Sequence, residues 1–397
     1  ELKVYGGEVS AAQVASLYAE THTCPVQPLH HVEIQHGSGR GLTCSATSFT
    51  VKACMDAACA TPYTGGVTGT LAASGTGMSV LWPAGTSFTI PSGSSTTNLA
   101  FQQTTVGSTL LSASGITPTP ANATSCNFNT INPGCTFTAA DSGLLFDVPN
   151  HRSEVRQALT VSAVKKADNS LACVPAFASV SRNVTLTCSY ANPSSGTLPV
   201  RVASTALNAA GNAGAACDVG GKALSLAFDA NGTASTTLTY ADAGQVTLSA
   251  RYAGSAGTND IGLVLVGSDN FVATPTDFAV TGVPNSPMAA GSAFPVTVTA
   301  RNSAGSTTPN FGGESVAEGA VLAFARTQPT GSSAVDGSFS GTLGGFNAGV
   351  ATGSDLAWTE VGQGLVTATL TSASYLGSGM TLTGSATATF KPDRCPW

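Results

Sequence analysis

The stretch "LAFDANGTASTTLTYADAGQVTLSARY", Leu226–Tyr252, decides the fold. It reads as a strand, a turn carrying Asp242 and Gly244, and a second strand that alternates apolar and polar residues. Residues two apart on a strand share a face. Leu238 and Tyr240 therefore point into one core, and Val246, Leu248, Ala250 and Tyr252 meet them from a neighbouring strand. The pattern predicts the terminal hairpin of a β-sandwich.

The stretch has two relatives in the same chain. "FTIPSGSSTTNLAFQQTTVGSTLLSAS" starts at Phe88 and "GGFNAGVATGSDLAWTEVGQGLVTATL" at Gly344. Each carries a glycine (Gly93, Gly232, Gly349), then a strand ending in Leu-x-aromatic, with Phe101, Tyr240 or Trp358 as the aromatic. A turn with Gly107, Gly244 or Gly362 follows, and then another alternating strand. Matching opening strands begin at His30 ("HHVEIQHGSGRGLTC"), Leu144 ("LLFDVPNHRSEVRQALTVSAV") and Thr276 ("TDFAVTGVPNS"). The spacing gives three sandwiches of about 100 residues each, the size of immunoglobulin-like domains.

Composition agrees. Of 397 residues only 9% are charged and 42% are apolar, and 45 are glycine. Short Val/Leu/Thr runs between Gly, Pro, Asn and Ser clusters read as an all-β chain of tandem immunoglobulin-like antiparallel sandwiches. The net charge is −6 with no basic block, which argues against nucleic acid as a partner. No apolar run reaches the ~18 residues of a membrane-spanning helix. The opening "ELKVYGGEVS" lacks the charged start and apolar core of an export signal. A chain of this make-up should be exported, so we expect the sequence to begin inside a longer protein. "FKPDRCPW" at its end reads as the start of a further strand.

The expected limits are 1–28 for a segment preceding the first sandwich, 29–115 for the first, 116–268 for a disulfide-bearing linker with the second, and 269–397 for the third. The connection over 266–278, "VGSDNFVATPTDF", is short and predicts a close joint between the second and third. One short helix is expected at Ser10–Glu20, with Ser10 as cap, Gln13 closing a capping box, and Val14, Leu17 and Tyr18 on one face.

Ten cysteines, an even number, suggest disulfides formed in an oxidising, extracellular compartment. Sequence proximity suggests Cys54–Cys59, Cys126–Cys135 and Cys173–Cys188, with Cys24–Cys44 as a fourth and Cys217 and Cys395 left over. No two cysteines form a CxxC pair, which disfavours zinc.

Other candidate sites are thin. His22, His30, His31 and His36 cluster near Cys24, but His30 and His31 are adjacent and expected on opposite strand faces, so they read as polar residues rather than ligands. Asp242 and Glu360 hold equivalent turn positions, with Gln102 or Gln103 in the first repeat. They lie in different domains, so they read as turn-forming corners and not as a general-acid pair. Asp260, Asp269 and Asp277 are weak calcium candidates, too few in oxygens for a full shell. There is no nucleophile elbow and no phosphate loop, and His151 is the sole histidine beyond His36. Neither an enzyme nor a cofactor is expected. Asn122, Asn183 and Asn231 fit the Asn-x-Ser/Thr pattern, which is short and weak evidence in a Thr-rich chain.

Two sets of motifs carry a family resemblance. Glu1-Leu2-Lys3-Val4-Tyr5 and Val9-Ser10-Ala11-Ala12-Gln13-Val14 resemble the last strand and closing helix of a LamG/concanavalin-like jelly roll. "LHHVEIQHGSGRGLTC", "VKACMDAAC", "FTAADSGLLFDV", "LTYADAGQVTLSARY", "GSDNFVATPTDFAV" and "LAWTEVGQGLVTATL", in that order, resemble MshQ-like proteins of mannose-sensitive haemagglutinin type IV pili. The resemblance implies a surface or pilus-associated protein of a Gram-negative bacterium and brings no catalytic residue. It would be a stalk or fibre subunit whose partners are other copies, pilus or surface proteins, or surface glycans, with no membrane insertion. The alternative is a carbohydrate- or protein-binding adhesin module using sandwich loops. Trp82 and Trp358 are its candidate sugar-stacking indoles, although Trp82 reads first as a core residue.

Overall fold

A computed structural model describes residue 10 and residues 28–128, 134–331 and 334–393. The expected helix beyond Ser10, His22, Cys24 and Cys395 lie outside the described residues, as does nearly all of segment 1–28. Among the described residues there are six sheets, and the helical turns are two short 3-10 pieces, Ala256–Thr258 and Tyr375–Gly377.

The chain divides into two compact units. The first comprises Glu1–His36, Thr47–Phe101 and Ser108–Phe137. One of its sheets orders Val80–Leu81, Thr96–Gln103, Thr47–Cys54, His31–Gln35 and Ser125–Asn127. The facing sheet contains Gly107–Thr117, Val67–Ser74 and Ser87–Ile90. Alternation places Phe49, Val51, Leu99 and Phe101 inward, all buried. Phe137 closes on them, with ring centroids 5.4 Å from Phe49 and 5.3 Å from Phe101.

The second unit comprises Gly37–Ala46, Gln102–Gly107 and Thr138–Trp397 and holds two sandwiches. The earlier one faces the sheet built on Gln157–Lys166, Thr233–Tyr240 and Val200–Val202 against that built on Val264–Thr274, Gly244–Ala253, Val180–Asn192 and Lys222–Phe228. The later one faces Asp277–Thr281, Phe294–Arg301 and Val350–Trp358 against Thr383–Lys391, Gly362–Leu370 and Ala320–Gln328. These sheets shift the expected limits. Ser125–Asn127 pairs with His31–Gln35 beyond residue 115, and Val264–Thr274 runs unbroken through residue 268.

The repeated stretch is not a hairpin. Thr233–Tyr240 pairs with Gln157–Lys166 and Val200–Val202, whereas Gly244–Ala253 pairs with Val180–Asn192 and Val264–Thr274 in the opposite sheet. Thr96–Gln103 and Gly107–Thr117 are split in the same way, as are Val350–Trp358 and Gly362–Leu370. Each repeat is therefore an arch that carries the chain across the core. The two inner faces of a sandwich look onto the same core, so a period of two reads alike for a hairpin and an arch. At each arch the glycine takes a positive φ: 133° at Gly107, 128° at Gly244 and 128° at Gly362.

Two of the four disulfides among the described residues depart from sequence proximity. Cys44 bonds Cys173 and Cys188 bonds Cys217, so neither Cys173–Cys188 nor Cys24–Cys44 forms. Cys188 points into the core of one sheet, and Cys173 lies on Cys173–Pro175, an edge strand of the facing sheet. Cys44 reaches Cys173 because Arg40–Leu42 runs parallel to Thr138–Ala140 within the second unit. Cys54 bonds Cys59, and Cys126 bonds Cys135.

Candidate functional site at the joint of the last two sandwiches

Asp242 lies in the corner of the second arch and is fully buried. The sequence marks it as a turn-forming corner. The structure places the third sandwich over it. Its Oδ1 accepts the N–H of its neighbour Ala243 at 2.8 Å and that of Asn310 from the third sandwich at 2.9 Å. Its Oδ2 is buried with no hydrogen-bond partner. An unpaired charge in such a place is expensive. Burial accordingly pushes the Asp242 carboxyl up to about 6, with the Glu314 carboxylate adding to the rise against the two N–H bonds.

The surroundings are polar but closed. Asn310 Nδ2 donates to the Tyr240 hydroxyl and to Ala243 O, both at 3.1 Å. Asn302 Nδ2 donates to Ala241 O at 2.9 Å. Backbone N–H groups cross as well, Ser303 to Ser153 O at 3.0 Å and Ser315 to Asn192 Oδ1 at 2.8 Å. Ser153 Oγ donates to Asp242 O at 2.9 Å, which holds the corner from its own side. Glu314 is buried and accepts from the Tyr375 hydroxyl at 2.6 Å. Burial raises the Glu314 carboxyl above its usual range. Apolar packing also crosses, since Ala243 and Val272 of the second sandwich belong to the core cluster of the third. The short connection predicted closeness. The shared core and these hydrogen bonds make the two sandwiches one body.

The family comparisons bear on this unit directly. Residues 123–268 match a family model described as a domain of unknown function (DUF6701), first Ig-like domain. That span holds the Asp242 arch. Residues 29–119 match another domain of unknown function, DUF8613. No curated protein matches the chain. Among solved structures, the D0–D1 domain of intimin is 15% identical with a TM-score of 0.26, covering 61% of this chain and 98% of its own. Invasin, a bacterial integrin-binding protein, is 13% identical with a TM-score of 0.24, covering 91% of this chain and 60% of its own. The I67–I69 fragment of titin is 10% identical with a TM-score of 0.26, covering 92% and 97%. The chain is thus an all-β protein of tandem Ig-like sandwiches, by its own strand registers and by the matched Ig-like description.

Of the other arch corners, Gln103 is buried and Glu360 is half-buried. Gln103 Nε2 donates to Thr105 O and Gly107 O at 2.8 Å each, and Glu360 Oε1 accepts from Val361 N–H at 2.8 Å. The calcium candidates do not form a metal cluster among the described residues. Asp260 binds the Tyr252 hydroxyl at 2.6 Å and faces Arg182, Asp269 accepts Val148 N–H at 2.6 Å, and Asp277 forms a two-pronged pair with Arg301 at 2.9 and 3.0 Å.

The histidines are arranged differently from expectation. His30 precedes the strand His31–Gln35, so alternation does not separate it from His31, and their Nδ1 atoms meet at 2.9 Å. His31 lies with Cys54 and Cys59, their ligand atoms within 4.8 Å of one another, but the two sulfurs are already bonded together. His36 packs among Phe49, Phe128 and Phe137, and burial lowers it to about 4. Trp358 is buried against Phe324 and Trp82 packs half-buried on Phe101, with centroids 4.3 and 4.8 Å apart. Asn302, Asn310, Glu314 and Tyr375 were not singled out from the sequence. "RNSAGSTTPNFGGES", Arg301–Ser315, reads as an ordinary polar loop, and no spacing rule links it to a corner some seventy residues earlier.

Proposed function

We propose that this is a non-enzymatic structural or adhesive protein of the bacterial surface, a stalk or fibre subunit of the MshQ-like, pilus-associated kind. The observation that carries the reading is the buried joint at Asp242. Linked domains move relative to one another by default unless a large apolar interface holds them, and a stiff stalk needs that motion suppressed. Supporting features are the Ig-like family description, the four disulfides among the described residues and the sparse charge, 9%. Among the described residues no helix is long and apolar enough to cross a membrane. Few charges need desolvation when copies of such a chain pack together. The proposed partners are accordingly other copies or neighbouring surface proteins. Immunogold electron microscopy of intact cells tests the reading. Label on the outer surface or along fibres is expected. Label confined to the cytoplasm would overturn it.

A further inference from the structure

We propose that the joint between the second and third sandwiches is tightened by protons, with Asp242 as the proton-binding group that docking encloses. The inference deepens the stalk reading only in its consequence, because a joint that stiffens in acid would stiffen the stalk.

The argument starts from the unpaired oxygen. Asp242 Oδ1 is satisfied by two N–H groups, and Oδ2 is buried with no hydrogen-bond partner. When the third sandwich is docked, an ionised Asp242 keeps a charged oxygen buried and unpaired. When the third sandwich swings away, the Asn310 N–H is lost but water reaches the carboxylate. Docking thus favours the protonated form and takes up a proton, and the reciprocal follows: acid favours docking.

The groups facing Asp242 do not cancel this. From its own sandwich come the phenols of Tyr190 and Tyr240, which are neutral throughout the range. From the third come Glu314, a like charge that adds to the cost of ionisation, and the Tyr375 phenol, already donating to Glu314. The segment 151–154 that holds the corner has its charges engaged elsewhere. His151 stacks on Phe271, Arg152 donates to Pro275 O, and Glu154 pairs with Arg201. Among these described neighbours no cation offsets Asp242.

The sign is fixed. The folded carboxyl titrates near 6 against an ordinary 3.8, so the stabilisation is fully present below 3.8 and is lost as pH rises through 6. These two values make docking about tenfold more favourable at pH 5 than at pH 8.

Hydrogen exchange of the full chain, corrected for intrinsic rates, tests this at the amides of Ser303, Asn310 and Ser315, which all donate across the joint. Their protection should be about tenfold higher at pH 5 than at pH 8. Amides inside Phe294–Arg301 serve as the reference. In Asp242→Asn the ratio should fall close to one. Equal protection of the three amides at both pH values, or an unchanged ratio in Asp242→Asn, would overturn the proposal. Should that variant not fold, carboxyl-carbon NMR of the native chain decides: a midpoint for Asp242 near 6 upholds it and one near 4 overturns it. None of these readouts depends on where the protein resides, so failure of the joint and failure of the surface reading are separate results.

Discussion

Burial acts in opposite senses on Asp242 and His36. Both lose hydration of the charged form, which raises an acid and lowers a base. His36, among three phenylalanine rings in the first unit, falls to about 4 from 6.5. Its folded value lies below the unfolded one, so its contribution is present above 6.5 and is lost as pH falls through 4. The upper bound is about 3 kcal/mol. Acid should therefore weaken the first unit while it tightens the joint in the second. In the full chain, protection of the Ile34 and Phe49 amides, corrected for intrinsic rates, should fall as pH falls from 6.5 towards 4. His36→Leu should flatten that response while leaving the Ser303, Asn310 and Ser315 response intact. A variant that keeps the loss of protection in acid would show that His36 is not its source.

The second and third arches depend on a glycine for two reasons at once, conformation and space. At Gly244 φ is 128°, and a Cβ would lie 2.7 Å from Asn192 O. At Gly362 a Cβ would lie 2.2 Å from Gln328 O. Gly93 has a φ of 89° but nothing within 4 Å of the added carbon. Gly93→Ala should therefore cost about 1 kcal/mol, the conformational part alone. Gly244→Ala should cost about 2–4 kcal/mol, because the neighbouring backbone must also move. Urea denaturation of the two variants beside the native chain measures the difference, and equal losses would remove the steric half of the argument. The glycines and the Leu-x-aromatic ends were legible in the sequence because both follow from local geometry. Whether the next strand joins the same sheet or the facing one was not, because both choices present the same inner face.

Across the whole chain the disulfides differ in reach. Cys44–Cys173 spans 129 residues and Cys54–Cys59 only 5. Loop-closure entropy then assigns about 5 kcal/mol to the first and about 2 kcal/mol to the second. Replacing Cys44 and Cys173 together by Ser should lower the denaturation midpoint more than replacing Cys54 and Cys59 together. A reversed order would place the stabilisation in the folded state instead. Peptide mapping without reduction should recover Cys44 with Cys173 and Cys188 with Cys217.

The sequence by itself determined the strand alternation, the threefold repeat, the glycine corners and the closeness of the last two sandwiches, because each is a statement about neighbours along the chain. It also marked Asp242 as a corner. Tertiary structure alone decided that the corner is buried, that Asn310 and Glu314 face it, and that Cys44 meets Cys173 and Cys188 meets Cys217. These depend on which surfaces of separate sheets are pressed together. A single carboxylate carries no local mark of the domain that will close over it.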